Sequence, residues 1–146
     1  MQQTVYVKKP HPEAILPRYG SAYAAGADLC ACLTQSCVIA PGQTVLVPTG
    51  LAMALPKGYG GFVFARSGLG IRHGVVPGNC VGVIDSDYRG EILVGLQNSG
   101  DADYVIQPAD RIAQLMVVPV VQAQVKMVDQ LDETQRGAGG FGSTGK

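Results

Sequence analysis

Short apolar, β-branched runs recur along the chain, and turn-forming clusters separate them. The runs are Cys37–Ala40, Thr44–Pro48, Leu51–Leu55, Gly61–Phe64, Val81–Ile84, Ile92–Leu96 and Gln114–Val121. Between them stand Ala40-Pro41-Gly42-Gln43, Leu55-Pro56-Lys57-Gly58, Asp87-Tyr88-Arg89-Gly90 and Asn98-Ser99-Gly100-Asp101. Proline and glycine preset the backbone angles of such turns, and asparagine and aspartate bond to their own backbone. Many short strands at this spacing predict an all-β sandwich or barrel, and the pattern does not choose between the two. The polar segment Gly82–Glu91, flanked by apolar runs, reads as a hairpin. Arg66–His73 has room for one short helix or 3₁₀ turn, weakened by Gly68 and Gly70. The pattern fades after Val121. Gln122–Gln135 is polar and charged, and Arg136–Lys146 holds five glycines in eleven residues. The division this predicts is a β-barrel core over 1–121, a connecting arm over 122–135 and a glycine-rich lid over 136–146, within a single domain. The tail has too little apolar surface to offset its ordering entropy, so it is expected to be mobile until a ligand closes it.

Composition narrows the class. The chain has 146 residues, the size of one domain. Only 15% of residues are charged, against about 25% in an ordinary soluble domain. That deficit implies more hidden surface than a small domain buries alone, and so predicts an oligomer. Eleven Lys and Arg balance eleven Asp and Glu. A neutral chain lacks the basic footprint of a duplex-binding protein, so no nucleic-acid partner is expected. No apolar run approaches the roughly 18 residues that span a bilayer. The polar stretch Met1–Pro12 lacks the apolar core of a secretory signal. Neither a membrane partner nor export is expected, which points to the cytoplasm. Cys30, Cys32, Cys37 and Cys80 have no zinc-like spacing, and neither His11 nor His73 completes one. They read as reduced, mostly buried thiols.

Four segments carry candidate chemistry. The tail contains Gly140-Phe141-Gly142-Ser143-Thr144-Gly145, a dinucleotide-binding pattern, and Gly140–Lys146 overlaps most of a Walker loop. Both motifs need a strand before and a helix after, and neither is predicted here. Glycine-rich amides can still cradle phosphate without a helix. Arg66, Ser67 and Gly68 offer a guanidinium, a hydroxyl and a close-approach glycine at a helix start, which is either an anion site or an N-cap serine. Asp85 follows a strand and is expected to point away from the side that Ile84 takes. It is either a turn-former or a working carboxylate. Gln114 is an uncharged amide at the edge of an apolar run, able to hold a water or a phosphate oxygen.

Taken in order, these segments resemble the five motifs of the trimeric dUTPase family. They are Ala25-Gly26-Ala27-Asp28-Leu29, Arg66-Ser67-Gly68-Leu69, Gly82 to Gly90, Asp110-Arg111-Ile112-Ala113-Gln114-Leu115 and Arg136-Gly137 through Gly145. The likeness runs over about residues 4 to 146. Ala65 stands where the second motif usually begins with proline, and Gly70 where alanine is frequent. The resemblance implies a jelly-roll-like, β-clip fold and a homotrimer with shared sites. Motifs one, two and four would come from one subunit, the third from a second and the tail from a third. It implies hydrolysis of dUTP to dUMP and pyrophosphate by in-line attack of water on the α-phosphorus, which keeps uracil out of DNA and supplies dUMP for thymidylate synthesis.

The same resemblance assigns roles. Asp85 would orient the water, and Gln114 would hold that water or an α-phosphate oxygen. A solvent-facing carboxylate is a weak base at neutral pH, so orientation counts as much as proton removal. Arg66, Ser67 and Gly68 would contact phosphate oxygens. Arg136, Ser143 and Thr144 would clamp the far phosphate, with Gly142 beside them. Phe141 would stack on uracil. The hairpin from Gly78 to Ile84, with Asn79, Val83 and Ile84, would read the base through backbone groups. Tyr88 would pack under the deoxyribose and exclude a 2′-hydroxyl. Mg²⁺ would travel with the triphosphate, and Asp28 would hold it through water; Asp28 otherwise reads as a turn carboxylate. Two other readings are a dCTP deaminase of the same fold and a non-catalytic, nucleotide-gated binding protein.

Overall fold

The structure, a computed structural model, describes residues 3–140; Phe141, Gly142, Ser143 and Thr144 of the expected lid lie outside the described residues. The described chain is all-β apart from one short helix. Its elements are β1 (Tyr6–Lys8), β2 (Arg18–Tyr19), β3 (Ala27–Cys30), β4 (Cys37–Ile39), β5 (Thr44–Ala54), β6 (Tyr59–Phe64), α1 (Ser67–His73), β7 (Val75–Pro77), β8 (Gly82–Ile84), β9 (Glu91–Asn98), β10 (Tyr104–Ile106) and β11 (Arg111–Pro119). Antiparallel pairing gives a four-stranded sheet β1-β5-β9-β7, a five-stranded sheet β2-β3-β11-β6-β8 and a ribbon β10-β4. The arrangement is jelly-roll-like. All three sheets bury side chains in one core, where Leu29, Ile39, Leu51, Leu96, Ile106 and Ile112 are fully enclosed. Among the described residues, no helix is long and apolar enough to cross a membrane.

Three expectations change. The runs Thr44–Pro48 and Leu51–Leu55 are not two strands. They form the single strand β5, whose pairing with β9 shifts between Pro48 and Ala52. The irregular stretch stays inside the sheet because its polar groups find partners. Buried Thr49 donates its hydroxyl to Ile92 O at 2.7 Å, and Gly50 N–H donates to Glu91 Oε1 at 2.8 Å. The segment Gly82–Glu91 is not a hairpin of paired strands, and neither is Gly78–Ile84. β8 lies at the edge of the five-stranded sheet, while β7 and β9 belong to the four-stranded one. Both segments are crossings between sheets. The turn signals mark where the chain reverses but not which sheet receives the next strand. The cysteines are all free, but only Cys30 is buried; Cys32 and Cys37 are half-buried and Cys80 is exposed.

Strands β1, β2, β3, β7 and β10 are two to four residues long and have no run of their own in the apolar pattern. Each exists because a neighbouring strand offers a ladder, longer than itself in every case but β10, whose partner β4 is equally short. Residues 121–138 follow the last strand with no pairing, and Val121, Val125 and Met127 are more than nine-tenths exposed. These apolar positions fall on one side of a period-two pattern, which is strand patterning without a strand to pair.

Asn98 closes the fold at the end of β9. It is fully buried, its Nδ2 donates to Ile39 O and Ala102 O at 2.8 Å each, and its Oδ1 accepts from Gly100 N–H at 2.9 Å. Replacing it leaves the buried Ile39 carbonyl without this donor and unties the turn that follows β9. Asn98→Ala is expected to lower stability by about 3 kcal/mol, given the usual penalty for unpaired buried groups. Urea unfolding followed by circular dichroism measures it.

Candidate functional site

One row of side chains crosses the outer face of the five-stranded sheet. Gln114 on β11 stands opposite Asp28 on β3 and Phe64 on β6, and Asp28 stands opposite Arg18 on β2. Directly paired residues share a face, so these four project together. Their neighbours Ala27, Leu29, Val63 and Leu115 point into the core. Asp28 is therefore a mid-strand carboxylate and not part of a turn.

Charge is concentrated around that carboxylate. Arg66 Nε donates to Asp28 Oδ1 at 2.9 Å, and Arg111 Nη1 donates to Oδ2 at 3.3 Å. Arg66 Nη1 also donates to Arg111 O at 3.3 Å. One carboxylate thus holds two guanidiniums, with Arg18 at the next paired position. The cluster carries more positive than negative charge. It opens into a polar cleft of about 280 Å³ lined by Arg66, Gly68, Arg72, His73, Asp110 and Arg111 among others.

Helix α1 begins beside this cleft. Its N-cap is Arg66, and no side chain caps it. Ser67 is the first helical residue and is exposed. The N-cap role weighed for Ser67 is thus not the one it plays, and its hydroxyl stays available. Gln114 is tied down from behind: its Nε2 donates to Ala65 O at 2.8 Å. Its Oε1 lies over Gly26, where a Cβ would stand 2.7 Å away. The glycine of the first motif therefore makes room for the glutamine of the fourth.

Asp85 belongs to a different place. It follows β8, is exposed, and lines a cavity of about 250 Å³ with Asn79, Gly82, Val83, Ile84, Tyr88 and Leu93 among others. The cavity lies beside β7 and β8, edge strands of the two sheets. On an edge strand, every second residue directs its N–H and C=O away from the partner. Ile84 is buried and Asp85 is exposed, as alternation predicts. The turn after Asp85 is closed locally. Tyr88 N–H donates to Asp85 O at 3.1 Å, and Arg89 Nη1 donates to Ser86 O at 2.8 Å and Tyr88 O at 2.9 Å.

The two places do not meet within one chain. Gln114 pairs with Phe64, and Ile84 pairs with Gly61. Continuing that register puts Asp85 opposite Gly60, two strands and four residues from Gln114. The offset is about 10 Å across the sheet and about 13 Å along it. No single water spans that distance. Arg136 lies beyond the last strand, where its Nε donates to Gly139 O at 2.9 Å.

Burial, then the negative charge of Asp28, pushes the Cys30 thiol up from its ordinary pKa; burial, then Glu91 and Glu13, does the same to Cys32. Both thiols stay protonated at neutral pH. Among the described residues, no group of three or more His, Cys, Asp or Glu could hold a metal ion. Asp28 uses one lone pair of each oxygen on arginine and keeps the other. That leaves an acceptor for a water carried by a hydrated Mg²⁺, while the two adjacent guanidiniums oppose a bare cation on the carboxylate. Sequence reasoning gave Arg111 no role of its own within the fourth motif, because its partner Asp28 lies 83 residues away.

A family model described as dUTPase matches residues 12–145. The deoxyuridine 5′-triphosphate nucleotidohydrolase of Syntrophotalea carbinolica is 51% identical over 142 residues, covering 97% of each chain. That of Paraburkholderia phymatum is 48% identical over 147 aligned positions, covering 100% of this chain and 99% of that one. The dUTPase of Staphylococcus bacteriophage 80alpha, solved with dUpNHpp, superposes with a TM-score of 0.91 at 25% identity, covering 99% of this chain and 100% of that one. A dUTPase of phage phi11 of S. aureus, in which a structural Mg(II) ion is coordinated, shares the fold with a TM-score of 0.79 at 23% identity, covering 87% of this chain and 97% of that one. The chain, with these motifs in this order on this fold, belongs to the dUTPase family.

Proposed function

We propose that this protein hydrolyses dUTP to dUMP and pyrophosphate, in sites assembled between copies of the chain. The observation that carries it is the cavity of about 250 Å³ in which Asp85, Asn79 and Tyr88 converge beside a free strand edge. Its dimensions suit a nucleoside. Backbone groups of Gly82–Ile84 would read the uracil edge, with Asn79 beside it, and Tyr88 would lie under the deoxyribose. A base that presents a donor where the edge presents one would leave both unpaired, which disfavours cytosine.

The triphosphate needs cations, and the arginine cluster around Asp28 supplies them. Arg66 spends its Nε on Asp28 and keeps Nη2 free for a phosphate oxygen. Arginine suits this task because its planar fork matches phosphate. Ser67 and Gly68 would add a hydroxyl and an amide. Gln114, held by Ala65 O, keeps its second amide proton for the water or an α-phosphate oxygen. Mg²⁺ bound to the triphosphate would offset its charge, with Asp28 accepting from one of the ion's waters. Asp85 would orient the attacking water in line with the departing pyrophosphate. Most of the catalysis is then positioning and charge stabilisation.

Because Asp85 and Gln114 stand too far apart in one chain, a second copy would complete each site. The bare apolar row Val121, Val125 and Met127 suits pairing with a neighbouring copy, which would carry Arg136 and the tail towards a third site. A homotrimer closes such head-to-tail contacts into a ring. In this reading 122–135 is the connecting arm and 136–146 the lid, with Arg136, Phe141, Gly142, Ser143 and Thr144 covering the nucleotide. The free thiols fit a reducing compartment, the cytoplasm.

Asp85→Asn is expected to bind a non-hydrolysable dUTP analogue normally and to slow pyrophosphate release at least about a hundredfold. Isothermal titration and a coupled pyrophosphate assay read the two effects separately. Mixing Asp85→Asn and Gln114→Ala subunits by co-refolding is expected to restore activity to about a quarter of the native level, because random assembly pairs intact halves. Mixtures as inactive as either parent would place both residues in one chain's site. Deleting residues 136–146 is expected to preserve folding and assembly and to reduce kcat at least about a hundredfold, as measured by sedimentation and the same assay.

A further inference from the structure

Tyr88 is held in a way that its own motif does not require. Its hydroxyl donates to Glu91 O at 2.9 Å. The Glu91 carboxylate in turn accepts from Gly50 N–H on β5 at 2.8 Å, so the carbonyl that holds the phenol is tied to the neighbouring strand. The ring between these anchors lies across Gly90. A Cβ built at Gly90 falls inside contact distance of Tyr88 Oη, 2.6 Å from Cζ and 3.0 Å from Cε2. These are the three nearest atoms, and all belong to the one side chain. The backbone at Gly90 is not left-handed, so the space taken by Tyr88, not the backbone conformation, is what favours glycine there.

We propose that Gly90 is a specificity-determining residue for the sugar. Its missing side chain is the seat of the Tyr88 ring, and Glu91 O is the latch that keeps the ring seated. The proposal rests on the reading of Tyr88 as the group that lies under the deoxyribose. A seated ring presents a fixed wall, which a 2′-deoxyribonucleoside triphosphate clears and a ribonucleoside triphosphate does not. A ring free to swing would yield to the extra hydroxyl. Tyr88 is partly exposed, with 45% of its surface accessible, so a methyl group at position 90 can push the ring outward without breaking the core. The consequence of substitution is therefore lost discrimination and not unfolding. Gly90 acts through Tyr88 and touches no reacting atom.

The test compares kcat/KM for dUTP and UTP, by pyrophosphate release, in Gly90→Ala, Tyr88→Ala, the double variant and Tyr88→Phe, with thermal unfolding of each. Gly90→Ala is expected to raise the UTP-to-dUTP ratio about tenfold while leaving the melting temperature close to native. The double variant is expected to match Tyr88→Ala alone, because both substitutions act on one ring. Tyr88→Phe keeps the ring and removes the latch, so it is expected to raise the ratio about threefold; it tests the arrangement even if Gly90→Ala does not fold. A raised ratio in Tyr88→Ala with native ratios in Gly90→Ala and Tyr88→Phe would overturn the seat and latch while sparing the sugar role of Tyr88. A native ratio in Tyr88→Ala would overturn that role, and this proposal with it.

Discussion

The register of β11 between β3 and β6 is the constraint on which the candidate phosphate side depends. Gln114, Asp28 and Phe64 share the outer face because Leu115, Ala27 and Val63 share the inner one. A slip of β11 by one residue would bury the Gln114 amide and expose Ala113 and Leu115. Burial of the inner row therefore specifies the outer row. The arginines follow from it: Arg66 and Arg111 reach Asp28 only when the carboxylate projects outward from mid-strand. The hydrophobic core thus sets the position of charged groups that take no part in it.

The second constraint is separation. The same sheet that aligns Gln114 with Asp28 puts Asp85 two strands away, at an edge facing another direction of use. Under the proposed function, the cation-rich cleft and the cavity that bears Asp85 would be complementary halves of one site. That separation, with the low charge fraction and the bare apolar segment after the last strand, supports the proposal that several copies assemble each site.

Two glycines show how precise placement comes from missing atoms. Gly26 gives Gln114 its space, and Gly90 gives Tyr88 its seat. In both cases the functional side chain is also fixed by a hydrogen bond to a backbone carbonyl, Ala65 O or Glu91 O. Space on one side and a bond on the other hold a side chain more firmly than either alone, which is the preorganisation a positioning enzyme needs.

Much was legible before any coordinates. Alternating apolar runs and turn clusters announced an all-β chain, because period-two burial and turn chemistry are local properties. The short helix at Ser67–His73 was legible from its residues, and five motifs in order carried the family. Local pattern failed wherever the partner was distant. It split β5 in two, because the bonds that keep Thr49 and Gly50 in the sheet come from Ile92 and Glu91. It read two hairpins where the chain crosses between sheets, because a turn does not encode which edge its next strand joins. It left Asp28 and Ser67 with alternative local roles that only their surroundings decide. The sequence by itself determined which chemical groups this protein carries and that they sit on short strands. The tertiary structure alone decided which strand edges stay open, which side chains share a face and how far Asp85 stands from Gln114. The reason is that these depend on pairings between residues tens of positions apart, which no local pattern contains.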